Sequence, residues 1–155
     1  MVDELTARGD DAGDDLGAVF ARLLEVIGER EAPILAAHGL TMWEYVILVP
    51  LLGQPGMSQK ELARRSRRDP TRLIGNLDAL EERALITREV DGADRRRRTV
   101  RLTSRGHEVV RDTRRAIRAM EAELLGVLPP GDQAALRQNL AATLRSLRER
   151  GWEQT

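Results

Sequence analysis

Residues 57–83 read MSQKELARRSRRDPTRLIGNLDALEER, and two helix starts lie inside them. The first is Ser58 with Glu61 three residues on, a capping box, with Met57 and Leu62 standing where a hydrophobic staple belongs. The second is Asp69 followed by Pro70, an N-cap residue and then the helical position at which a missing N–H matters least. The spacing predicts a short helix ending near Ser66, a turn of about three residues, and a second helix running to about Arg83. Two helices joined this tightly form a helix-turn-helix, whose second helix is shaped to enter a major groove.

Upstream, Thr41 and Glu44 form another capping box with Leu40 and Tyr45 as staple, opening a helix over 42–52. Tyr45, Leu48 and Leu52 fall on one face of it and Trp43, Ile47 and Leu51 on the other, so it is expected to be buried all round. Before it, Leu16, Val19, Phe20, Leu23, Leu24 and Ile27 recur at helical spacing, with Pro33 an expected kink or break and Gly39 a stop. Downstream, 85–90 reads as a strand, Asp91-Gly92 as a turn, and 99–102 as a returning strand with Val100 and Leu102 inward. A hairpin directly after a helix-turn-helix makes a wing. Thr103 then caps a long helix bearing Val109, Val110, Thr113, Ile117, Met120 and Leu124, which Pro129-Pro130-Gly131 ends; a last helix carries Leu136, Leu140, Leu144 and Leu147. The expected fold is mainly α, a winged helix-turn-helix of about six helices plus a β-hairpin.

The chain has 155 residues and no cysteine, which excludes disulfides, thiolate metal sites and thiol switches. The longest apolar run, 46–52, is interrupted by Pro50 and is far short of the ~20 residues that span a bilayer. The start, with Asp3 and Glu4, is no signal peptide, so a cytoplasmic protein without membrane contact is expected. The formal charge is zero but unevenly spread. Residues 1–57 hold 3 basic and 10 acidic side chains, residues 58–118 hold 18 and 10, and residues 119–155 hold 4 and 5. A basic middle between acidic ends points to a polyanion partner for the middle segment. Residues 1–15, with six acids and little apolar periodicity, read as a flexible tail.

The order of these elements and several strings resemble the MarR family of bacterial transcriptional regulators, over nearly the whole chain from Leu16 to about Arg150. The strings are Leu40-Thr41, Glu44-Tyr45 and Ile47-Leu48, then Ser58-Gln59 with Glu61-Leu62-Ala63, then Leu77-Asp78 with Leu80-Glu81-Glu82-Arg83, and above all Asp94-Arg95-Arg96 followed by Val100, Leu102-Thr103 and Gly106. Two places depart from the family pattern. Ser66-Arg67-Arg68 stands where a glycine and an aliphatic residue are usual, and Arg68 cannot fill an apolar socket. Ala84 replaces a usual glycine, which implies strain if a left-handed backbone is needed there.

In the second helix of the pair, Leu73, Leu77 and Leu80 mark the inner face with Ile74 beside it, and Arg72, Gly75, Asn76, Ala79 and Arg83 the outer. Gly75 either lets the backbone approach a base edge or is simply tolerated. Arg72 suits guanine and Asn76 adenine in bidentate pairs. Thr71 suits a phosphate or a thymine methyl, and Ser58 and Gln59 at a helix N-terminus suit a phosphate. Arg68 of the turn and Arg95, Arg96, Arg97 and Arg98 of the wing complete the DNA-binding set. The resemblance implies that Asp94 orients Arg96, which enters the minor groove.

The resemblance also implies a homodimer, with 16–39 and 104–150 as dimerisation helices and 41–103 as the DNA-binding part of one domain over 16–155. Leu16, Phe20, Leu23, Leu140, Leu144 and Leu147 are the candidate interface residues, unless they are ordinary core. It further implies a repressor that releases double-stranded DNA when a small aromatic or phenolic effector enters near His38, Met42 and Trp43. No catalytic, cofactor or metal constellation is legible, so an enzyme is not expected. A winged helix that docks proteins instead of DNA remains the alternative; four adjacent arginines favour DNA, and RNA is disfavoured because no aromatic interleaves with them.

Overall fold

The computed structural model describes residues 15–90 and 98–152. Its elements are α1 (Leu16–Ala37), α2 (Met42–Leu48), one 3₁₀ turn (Val49–Leu51), β1 (Met57–Ser58), α3 (Gln59–Ser66), α4 (Pro70–Glu82), β2 (Ile86–Val90), β3 (Arg98–Leu102), α5 (Ser104–Leu125) and α6 (Pro130–Glu149). This is the expected mainly α winged helix.

The predicted helix starts are held by the predicted caps. Glu44 N–H donates to Thr41 Oγ1 at 3.2 Å while Thr41 N–H donates to Glu44 Oε2 at 2.8 Å, a complete box. Asp69 Oδ1 accepts from the N–H groups of Thr71 and Arg72 at 3.0 and 3.2 Å. The box at Ser58 is only half made. Ser58 Oγ accepts from Glu61 N–H at 3.2 Å, but the Glu61 carboxylate turns to Arg64 and Arg65 because Ser58 enters the helix from a strand, in register with Thr99.

Several boundaries differ from the sequence expectation. α1 runs unbroken through Pro33, which is exposed, so the carbonyl left without a donor can face water. α2 ends at Leu48 and tightens into a 3₁₀ turn, because Pro50 has no N–H to extend the ladder. α5 ends at Leu125 ahead of Gly126, and Pro130 opens α6 instead of closing α5. Nor is α2 buried all round: Ile47, Leu48 and Leu51 are sealed in the core, while Met42 and Trp43 remain 38% and 45% exposed. β1 was not legible at all.

The sheet order is β1-β3-β2, all antiparallel, with Met57 opposite Val100 and Ile86 opposite Leu102. Leu62 of α3, Leu73, Leu77 and Leu80 of α4, Val100 of β3 and Val110 of α5 meet in one apolar core. The start of α5 is fastened to the strand entry: Thr103 Oγ1 accepts from Gly106 N–H at 2.9 Å and donates to the Ala84 carbonyl at 2.7 Å. A Cβ on Gly106 would stand 1.9 Å from the Leu85 carbonyl oxygen, so only glycine permits this approach. Ala84 does adopt the left-handed backbone, at φ +53°. No single helix among the described residues is long and apolar enough to cross a membrane.

Candidate nucleic-acid interface

α4 buries Leu73, Leu77 and Leu80 and turns Thr71, Arg72 and Gly75 outward. A Cβ at Gly75 would meet nothing within 4 Å, so the backbone there is open to whatever approaches. Beside α4 lies a groove of about 560 Å³ lined by Ser58, Gln59, Lys60, Ala63, Pro70, Leu73, Ile74 and Arg98. It joins the N-terminus of α3 and the flank of α4 to the base of the wing, so three predicted site residues, Ser58, Gln59 and Arg98, share one surface.

Electrostatics sorts the arginines of the basic middle into two sets. Arg64 and Arg65 both bind the Glu61 carboxylate, each at 2.7 Å, and their guanidinium hydrogen bonds hold Glu61 down at about 2. Arg88 bridges Asp78 at 2.6 Å and Glu81 at 2.5 Å, which lowers the Glu81 carboxyl and raises Arg88. Arg101 pairs with Glu89 across the hairpin at 3.3 Å. Arg83, expected on the outer face of α4, instead reaches back to Glu44 at 2.9 Å and to the Gly39 carbonyl, because both lie at the α1–α2 corner against which α4 ends. By contrast, Lys60, Arg72 and Arg98 have no ion-pair partner among the described residues. Of these three, Lys60 and Arg98 share the groove beside α4, and Arg72 is exposed on α4 itself.

Sequence reasoning missed two residues of this surface. Lys60 is the chain's single lysine and sits in the first turn of α3, where a cation opposes the helix dipole; that misplacement was the available signal. Ile74 was read as flanking the inner face but is 50% exposed and lines the groove.

The turn between α3 and α4 explains the first family departure. Arg67 takes the left-handed position at φ +50°. Arg68 then lies with its guanidinium 4.0 Å from the Trp43 ring centroid, and its Nε donates to Asn76 Oδ1 at 3.4 Å. An aliphatic plug is thus replaced by a cation stacked on an indole. A second groove of about 650 Å³, between Pro50, Arg64, Arg65, Arg67 and Arg148, brings the end of α6 near this turn.

Of the remaining predicted residues, His38 caps the end of α1 with Nδ1 2.8 Å from the Ile34 carbonyl, and Met42 and Trp43 are exposed on α2. Leu16, Phe20, Leu23, Leu140 and Leu144 are between 38% and 72% exposed and Leu147 is half-buried, so intramolecular core does not account for them. Asp94, Arg95, Arg96 and Arg97, the turn at Asp91-Gly92 and the tail up to Asp14 lie outside the described residues.

Comparison with known proteins identifies the family and the fold. The sequence model of the MarR family matches residues 38–97. The HTH-type transcriptional repressor Rv2887 of Mycobacterium tuberculosis is 30% identical over 131 residues, covering 84% of this chain and 93% of the relative. The structure of Rv2887 in complex with DNA superposes with a TM-score of 0.74 at 27% identity, over 84% of this chain and 98% of that one. The transcriptional repressor CouR of Rhodococcus jostii RHA1, bound to a 23-mer DNA duplex, gives 0.75 at 27% identity, over 84% and 92%.

Proposed function

Because the chain belongs to the MarR family of transcriptional regulators, we infer that it is a sequence-specific, double-stranded-DNA-binding repressor acting as a homodimer. The observation that carries this is the separation of its cations: Arg64, Arg65, Arg83, Arg88 and Arg101 are neutralised by carboxylates, while Lys60 and Arg98 line the groove beside α4 and Arg72 is exposed on that helix. α4 is suited to the major groove, with Thr71, Arg72 and Asn76 toward base edges and Ser58, Gln59 and Lys60 toward phosphates. The wing, with Asp94 and Arg95, Arg96, Arg97 and Arg98, suits the adjacent minor groove. Residues 41–103 supply this surface; 16–39 and 104–150 supply the pairing helices, because a single winged helix reads too few base pairs and two must be spaced about 10 bp apart.

A released effector-type control is part of the same reading. An aromatic ligand meeting Trp43 would compete with Arg68 for the indole face.

The test is to recover bound fragments from the native genome and titrate them against scrambled duplexes. Specific binding should weaken steeply with salt, with a log–log slope of about −0.9 per neutralised phosphate. Arg72→Ala should relax sequence preference, whereas Lys60→Ala should weaken all sequences alike and flatten the slope by about 1. Equal, salt-insensitive binding of specific and scrambled DNA would overturn the reading and leave a protein-docking winged helix.

A further inference from the structure

Resting on the reading that α4 enters a major groove, we propose that Arg68, stacked on Trp43, is a positioning residue that sets which way the Asn76 amide faces and therefore which base Asn76 reads. The chemistry leaves little choice. An arginine side chain has five N–H donors and no acceptor, so a hydrogen bond between Arg68 and Asn76 must be accepted by Oδ1, as it is at 3.4 Å. The amide is planar, and its NH₂ therefore turns away from Arg68.

This changes the base that fits. Pairing with adenine needs Oδ1 and NH₂ of one amide presented together, the first to the N6 amino group and the second to N7. With Oδ1 held on the protein side, Asn76 offers only its NH₂ to a base: adenine N7 can accept one hydrogen, but the adjacent N6 amino group, itself a donor, finds no acceptor. An edge made of acceptors suits the NH₂, and guanine presents two, N7 and O6. Asn76 therefore reads guanine, not the adenine its residue type suggests.

Arg68 can do this only if it is itself held. Its backbone N–H donates to the Ala63 carbonyl at 3.0 Å, just beyond the left-handed Arg67, which directs the side chain across the turn. Its guanidinium carbon lies over the Trp43 ring, 4.0 Å from the centroid. A guanidinium stacked by its face keeps its in-plane N–H groups free to donate, and these reach Asn76. A lysine could not supply both the flat face and the directed donor. The three residues come from α2, the turn and α4, so the base preference of the recognition helix is set partly by a tryptophan outside the helix-turn-helix pair.

The experiment begins with selection of duplexes from a random pool by the full-length protein. One guanine per half-site should emerge whose replacement by 7-deazaguanine or by adenine lowers affinity about tenfold. Asn76→Ala should erase that preference. Arg68→Met and Trp43→Leu should erase it too, while keeping preferences at other positions and the helical circular dichroism signal. Trp43→Tyr, which keeps an aromatic face, should retain it. Selection of adenine at the Asn76 position would overturn the inference. So would an Arg68→Met variant that loses affinity evenly across all sequences, as a phosphate contact would. A wild-type protein that prefers no duplex over a scrambled one would instead overturn the DNA-binding reading itself.

Discussion

In α4, Leu73, Leu77 and Leu80 recur at helical spacing and are at most 2% exposed, whereas in α6 Leu136, Leu140 and Leu144 recur in the same way and stay 38%, 38% and 48% exposed. No residue of α6 is buried, and α1 buries only Leu35. Equal periodicity thus ends in opposite environments. An amphipathic stripe says that a helix has a face to cover, but not whether the cover comes from the same chain. The leucines of α4 are covered by α2, α3 and the sheet. Those of α6 and the first half of α1 have no such cover, which fits the proposal that these helices pair with the same two helices of a second copy.

The sharpest way to break this contrast is to truncate on both sides of it. Leu77→Ala should destabilise the protein by about 2 to 5 kcal/mol in chemical denaturation, because the cavity forms in a sealed core. Next in size is the pair Leu140→Glu with Leu144→Glu, which should leave the circular dichroism spectrum intact but shift sedimentation at micromolar concentration from dimer to monomer, with operator affinity lowered at least tenfold through lost half-site linkage. A variant that stays dimeric would place the interface elsewhere. Glu44→Ala removes the buried acceptor that serves Thr41 and Arg83, and should cost about 1 to 3 kcal/mol in the same denaturation assay. Ala84→Gly runs the other way, raising stability by about 1 kcal/mol by relieving the left-handed alanine.

The smallest effect belongs to the exposed ion pairs. Glu61 titrates at about 2 in the folded protein against an ordinary 4.5, so its pairing with Arg64 and Arg65 stabilises above the ordinary value and is lost as the pH falls toward 2. Thermal melts of the wild type and Glu61→Gln should therefore differ slightly at neutral pH and converge through that acid window. A difference that persists below it would mean Glu61 acts through something other than its charge.

Helix starts were readable because an N-cap acts within three residues of itself, as at Thr41, Asp69 and Thr103. Ends were read less well. Pro50 truncates α2 while Pro33 leaves α1 continuous, and what separates the two is how the surrounding chain accommodates the lost donor. β1 has two residues, too few to show alternation, and exists because β3 lies beside it. The candidate site was half legible. Arg72, Ser58 and Gln59 follow from the helix-turn-helix register. Which other arginines are available does not, since Arg83 is neutralised by a carboxylate 39 positions away and Arg88 by two on the preceding helix.

Fold class and the place of the recognition helix were thus written in local signals, caps and periodicity, whose forces act over a turn or two of chain. The packing of the chain decided what those signals could not reach: which cations stay free for phosphate, which leucines remain uncovered, and which end of the Asn76 amide faces out. Each depends on a partner from a distant segment brought within a few ångströms, and such distances exist only once the chain has folded.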